Sequence, residues 1–348
     1  IRDRLRSRGL GDVYKRQTQL YDILKHRLIN KGYIRSDKQK EDLNDLVLSE
    51  LHLIANNSYQ GFEAQKLHLL FQATYYLNSG NYKSAIRYYQ ELINLFNDNQ
   101  HLILNPPIYY LSAIQGILDS LCIAGLYHET PFFLSKLEEL TQNEYSTEFI
   151  LHLKTLIYIY KSNSLLQAGN FEQALELRDK QENELLKKVT SLGLESQLRL
   201  YLSFAVLGMY TKDYVQARKY MKKIFSLGKL FCAFPSYKIA RLVNLLLQAE
   251  LGNYDFFENE IISIKRNIRF EKQTYITEKL IFKFIQGYPL PSYEKARNKR
   301  WLQYQKDIQK IEQDKYERQL LKTFDVLAWI ESKLTQRSLA DIFAEKAH

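Results

Sequence analysis

QKLHLLFQATYYLNSGNYKSAIRYYQELINLFND, residues 65–98, decides how the rest of the chain is read. Leu69, Leu70, Ala73, Tyr76 and Leu77 fall at i, i+1, i+4, i+7 and i+8, which gathers them on one helical face. Tyr82, Ala85, Ile86, Tyr89 and Ile93 repeat that spacing beyond Gly80-Asn81. Gly80 sits where the first helix must stop and the chain reverse, a position that favours positive φ and disfavours a Cβ. Ala85 is small where two helices must approach closely. The stretch predicts two antiparallel helices joined by a tight turn.

The same turn recurs along the chain. Gly125-Leu126-Tyr127 opens a second copy, and Thr130-Pro131 reads as the N-cap and first residue of a helix that starts late. Gly169-Asn170-Phe171 is followed by Ala174, Asp213-Tyr214 by Ala217, and Gly252-Asn253-Tyr254 by Phe257 in place of the small residue. Lys212 replaces the glycine of the fourth turn. Counted from equivalent turn positions the spacings are 45, 44, 43 and 40 residues. Five hairpins are expected over residues 63–270.

Gly80, Tyr82, Ala85 and Tyr89 match G-x-Y-x-x-A-x-x-x-[FY], so the first hairpin resembles a tetratricopeptide repeat. Tyr76 matches an aromatic of that repeat's first helix, while Leu69 stands for the usual Trp and Asn97 for the closing Pro. The period exceeds the standard one of about 34 residues, so longer helices and connections are expected. The resemblance implies an all-α, right-handed superhelical solenoid whose first helices line a concave groove for a partner segment. By register, the polar groove positions are Thr74, Gln115, Asp119, Asn163 and Arg199. Leu70, Ile159, Leu202 and Leu246 are apolar positions of the same register. Groove sites that grip a terminal carboxylate carry Lys four residues before Asn. Asn163 fits that pattern, but Ile159 holds the Lys position.

The flanks read differently. Back-translated, Ser7–Gln17 can be written as the transposase adapter of sequencing libraries, and Ile1-Arg2-Asp3 fits the end of the flanking primer. Residues 1–17 are therefore expected to be foreign and disordered, with the native chain beginning upstream of Thr18. Residues 18–62 are expected to form two leading helices, about 18–31 and 38–56, separated by the polar stretch 32–39, with Ser36 or Asp37 as N-cap. Residues 271–348 are expected to form a helical cap. A helix at 272–286 and the linker Gly287–Pro291 precede two charged helices, 292–313 and 315–335, and a tail from Ser338. The end of a stack needs a polar outer face.

Composition narrows the function. Residues 1–17 hold six of the 49 Lys/Arg and two of the 39 Asp/Glu, so the remainder carries 43 and 37, a net charge of +6. That balance does not by itself demand nucleic acid. Only 13 Gly and 6 Pro in 348 residues favour long helices over a β-rich fold. No run of about 18 apolar residues occurs, so no spanning helix is expected. Cys122 and Cys232 are the only cysteines, which excludes a disulfide framework and points to a reducing, cytoplasmic location.

No catalytic constellation stands out. His26, His52, His68, His101, His128, His152 and His348 form no H-x-x-x-H pair, so no metal is expected. Glu138 and Glu139 are adjacent and point in different directions on a helix. Phosphate-loop, dinucleotide and nucleophile-elbow glycine motifs do not occur, and neither an enzyme nor a cofactor is expected. Arg218, Lys219, Lys222 and Lys223 share one helical face. Residues 295–322 carry nine Lys/Arg and four Asp/Glu, with Trp301, Tyr304 and Tyr316 interleaved. Phosphate contacts with base stacking would use that mixture, but the acidic residues interrupt it. The leading expectation is a non-catalytic scaffold binding a protein or peptide segment. The second is a regulatory protein whose basic C-terminal helices, or a domain upstream of Thr18, contact nucleic acid.

Overall fold

The computed structural model describes residues 2–31, 34–56, 61–103, 105–228, 232, 234–271 and 275–346. Among these residues, 81% lie in helices and none in strands, which fixes the class as all-α. The chain divides into two compact units, Ile1–Gly125 and Leu126–His348, so the boundary falls at the second turn.

In the first unit, α1 spans Arg2–Lys31, α2 Asp37–Glu41, α3 Asn44–Asn56, α4 Phe62–Asn78, α5 Tyr82–Asp98 and α6 Ile108–Ala124. The helix expected to begin at 18 thus runs on through residues 2–17, where disorder was expected. Ser36 caps α2 by accepting a hydrogen bond from Gln39 N, as its place predicts. The second leading helix is split at Asp42 rather than continuous. Gly32, in the polar stretch before it, lies outside the described residues. α4 and α5 form the hairpin read from residues 65–98, and α6 packs on both. The buried face of α4 is Leu67, Leu70, Phe71, Ala73 and Tyr75, whereas Leu69, Tyr76 and Leu77 are only half-buried. The shift has a cause: α1, α5 and α6 all lie against α4, so a single apolar stripe does not describe it. Tyr89 of α5 fits against Gly116 of α6, where an added Cβ would fall 2.2 Å from the ring.

In the second unit, α7 spans Thr130–Thr141, α8 Thr147–Gln167, α9 Phe171–Lys187, α10 Leu194–Tyr210, α11 Tyr214–Ser226, α12 Pro235–Glu250 and α13 Phe256–Glu271. α8 pairs with α9, α10 with α11 and α12 with α13, while α8, α10 and α12 also touch in succession. Five turns across the two units share one backbone device. Gly80, Gly125, Gly169 and Gly252 have φ of 77°, 77°, 74° and 73°, and Lys212 adopts 61°. A residue with a Cβ pays a conformational cost there, and Lys212 is the one such residue in the series. Ala85, Ala174 and Ala217 are fully buried. The α10–α11 approach is close enough that a Cβ on Gly208 would lie 2.9 Å from Ala217 N.

The C-terminal region departs from expectation. It contains α14 (Ile276–Ile285), α15 (Glu294–Gln313), α16 (Arg318–Leu321), α17 (Val326–Thr335) and α18 (Leu339–Lys346). Residues 272–274, the start of the expected 272–286 helix, lie outside the described residues. The single helix expected over 315–335 is interrupted at 322–325, because Asp325 caps α17 by accepting from Ala328 N. α15 keeps a polar outer face, with Lys295, Lys299, Lys306 and Lys310 exposed. Phe324, Trp329 and Phe343 are buried, and the segment runs back over the turns of the earlier hairpins. Asn163 donates to Lys322 O at 3.1 Å, and Asp325 N donates to the Tyr210 hydroxyl at 2.6 Å. Phe343 packs on Phe171 and Tyr210. Lys333 Nζ donates to Glu250 Oε2 at 2.5 Å and to the Tyr214 hydroxyl at 3.0 Å.

Candidate functional site

The five polar groove positions are half-buried; Thr74, Gln115 and Asp119 belong to the first unit and Asn163 and Arg199 to the second. Thr74 lies within hydrogen-bonding reach of the hydroxyls of Tyr21, on α1, and Tyr89. Burial raises the pKa of both tyrosines, and the charge of Asp119 raises that of Tyr89 further. Gln115 stands one turn before Asp119 on α6. In the second unit Asn163 is engaged by the C-terminal segment. Arg199 donates to the Tyr160 hydroxyl at 3.0 Å and stacks over its ring at 5.4 Å. His152, 3.3 Å from Ser196 Oγ, is held below its ordinary value by burial and by Arg199. Asn163 and Arg199 thus join elements of the second unit.

Of the three aromatics interleaved with the basic residues, Trp301 is half-buried. Tyr304 and Tyr316 are buried. Arg297 donates to Pro291 O and Ser292 O, and Arg300 to Gly287 O, so both tie α15 to its own approach. Lys223 lies over Tyr201 and Tyr220.

One open feature among the described residues of the second unit is a cleft of about 790 Å³ between α7 and α9, floored by α8. Its local cause is the late start of α7: a single 3-10 turn, Tyr127–Glu129, precedes Thr130 and shortens the helix to 12 residues. Thr130 Oγ1 and Ser164 Oγ are 3.0 Å apart at one end. Leu134, Leu165 and Leu177 supply apolar wall, with Glu138, Lys161, Glu176 and Lys180 around it. Lys161 pairs with Glu138, and Lys180 reaches Glu176 at 3.6 Å.

The next pair of second helices is bridged where this cleft is open. Between α9 and α11, Glu182 accepts from the Tyr220 hydroxyl and lies 3.5 Å from Lys219 Nζ. Glu182 stands eleven residues after Phe171, and Lys219 and Tyr220 stand five and six after Tyr214. One hairpin earlier, the same offsets from Tyr127 and Phe171 give Glu138 opposite Glu176 and Leu177. A cation and a hydroxyl are replaced by a second carboxylate and an apolar chain. The bridge cannot form, and both carboxylates line the cleft instead. Adjacency of Glu138 and Glu139 carries no such signal; it lies in this change of sign between registers.

Comparison with family models, with curated proteins and with solved structures found no match.

Proposed function

We propose that the chain is a non-catalytic interaction scaffold, a right-handed superhelical array of tetratricopeptide-like hairpins that binds a segment of a protein partner. The left-handed residue at each of five turns supports the repeat reading. The α7–α8–α9 cleft carries the binding reading, since its volume of about 790 Å³ suits several residues of a peptide. Asn163 and Arg199 each make a hydrogen bond within the second unit. A cytoplasmic setting belongs to the same proposal and rests on two free cysteines, Cys122 and Cys232. Among the described residues no helix is long and apolar enough to cross a membrane.

The test is selection of displayed twelve-residue segments on the intact chain, with a counter-screen on Leu165→Asp. Enriched segments that lose binding to the variant support the cleft. Enrichment that ignores Leu165, or none at all, overturns it. Contact of the basic helices with nucleic acid is the competing reading, and a labelled single-stranded oligonucleotide retained at low salt and released at high salt would favour it.

A further inference from the structure

We propose that the outward face of α15 is a docking surface for the phosphate backbone of a nucleic-acid duplex, separate from the α7–α9 cleft. Read along the chain, residues 295–322 mix cations with carboxylates, but the helix sorts them. At about 100° per residue, Lys295, Lys299, Lys306 and Lys310 fall within a sector of about 60°. All four are exposed. Glu294, Asp307 and Glu312 lie about 60–100° beyond the edges of that sector. On the inward side Tyr304, Ile308 and Ile311 are buried, and α15 packs on α14 and α17. None of the four lysines enters an ion pair among the described residues, whereas Lys161, Lys333 and Lys346 each do. A stripe of unpaired charge of one sign calls for a polyanion.

The side chains around the stripe select which polyanion. The four cations line about 22 Å of one continuous helix, the length of about six base pairs. Gln303, Gln309 and Gln313 are exposed beside them and add donors for phosphate oxygens. Leu302, 70% exposed, is the one large apolar side chain exposed between Lys295 and Lys310. That is too little to anchor a helix in a bilayer, where binding grows with buried apolar area. Tyr304 is buried and Trp301 half-buried, and the exposed Tyr293 precedes the helix as its N-cap. The stripe therefore offers no platform on which the bases of a single strand could stack. A duplex, whose bases are already stacked, needs only the cations and the amides. A second copy of this face would meet like charge.

The probe is a fluorescein-labelled DNA duplex of arbitrary sequence, followed by anisotropy as the intact chain is added at about 50 to 200 mM KCl. Four lysine–phosphate contacts predict a slope of log Kobs against log [KCl] of about −3.6, a loss of roughly 150-fold over that range. Lys299→Gln/Lys306→Gln should flatten the slope by about 1.8. Arg218→Gln/Lys222→Gln removes the same charge from exposed positions of α11 and should leave the slope as it was. All four substituted side chains are exposed, and circular dichroism checks that both variants keep their helices. No binding of the duplex at about 50 mM KCl, an unchanged slope for the α15 variant, or an equal loss for the α11 variant overturns the proposal. Tighter binding of the same-length single strand or of phosphatidylserine vesicles also overturns it, as does displacement by polyglutamate ahead of unlabelled duplex. The cleft reading is decided separately, by the displayed-segment selection.

Discussion

Gly169 and Gly252 occupy the same place in two hairpins and differ in what surrounds them. Both turn the chain with φ near 74°, and both precede an asparagine and an aromatic. Beyond Gly252 a Cβ would meet nothing within 4 Å, whereas beyond Gly169 it would meet Ala340 O at 3.0 Å and Ala340 Cα at 3.3 Å. One glycine is there for its backbone alone. The other also clears the surface on which α18 lies, a second reason that no local pattern records.

The comparison can be broken by substitution. Gly169→Ala should cost about 2–4 kcal/mol, the sum of left-handed strain and overpacking against Ala340, and Gly252→Ala only about 1–2 kcal/mol. Urea unfolding of the two variants decides it, and equal losses would mean that α18 yields freely. Asn163→Ala removes the hydrogen bond to Lys322 O and should cost about 1 kcal/mol. Faster amide exchange at residues 323–328 should accompany it, and the double variant with Gly169→Ala should lose less than the sum if both act through the docked segment.

Lys212→Gly sharpens the contrast from the opposite side. Lys212 is the non-glycine member of the turn series, so the exchange should stabilise by about 0.5 kcal/mol, strain relieved less the entropy of the added glycine. The last prediction is a slope. His152 is neutral in the fold and its pKa lies below the ordinary value of 6.5. The unfolded chain therefore binds the proton more readily, and the stability held above pH 6.5 is lost as pH falls through that value. Urea midpoints between pH 7.5 and pH 5 should fall less for His152→Asn than for the unaltered chain.

The turns were legible because their cause is local. In four of the five turns a glycine or Lys212, then Asn or Asp, then an aromatic states where a helix ends, and Ala85, Ala174 and Ala217 state how closely the next one lies in three of them. The face of α4 was less legible, since three neighbours share it and Leu69 competes with Leu67 and Phe71 for the interior. The break at 322–325 was invisible to periodicity. Asp325 is one more acidic residue in a charged stretch until Tyr210 receives its amide and stacks on Phe324. The polar groove positions are half-buried side chains, but Asn163 meets the C-terminal segment 159 residues on and Arg199 meets Tyr160 39 residues back, too distant in sequence for a local pattern to name. The cleft was written in the sequence as a carboxylate facing a carboxylate, readable only once the two hairpins are set in register.

An open row of hairpins behaves as a one-dimensional lattice: each unit feels its neighbours, and the end unit frays alone. The docked segment changes that boundary condition. It couples Asn163 to a carbonyl 159 residues away, Tyr210 to an amide 115 away, and Glu250 to an ammonium 83 away. Three hairpins that could each melt in turn are stitched by one strap. The free energy of opening any one of them then includes the strap's release from the others. Native-state exchange across α8–α12 should report one shared opening step rather than a staircase.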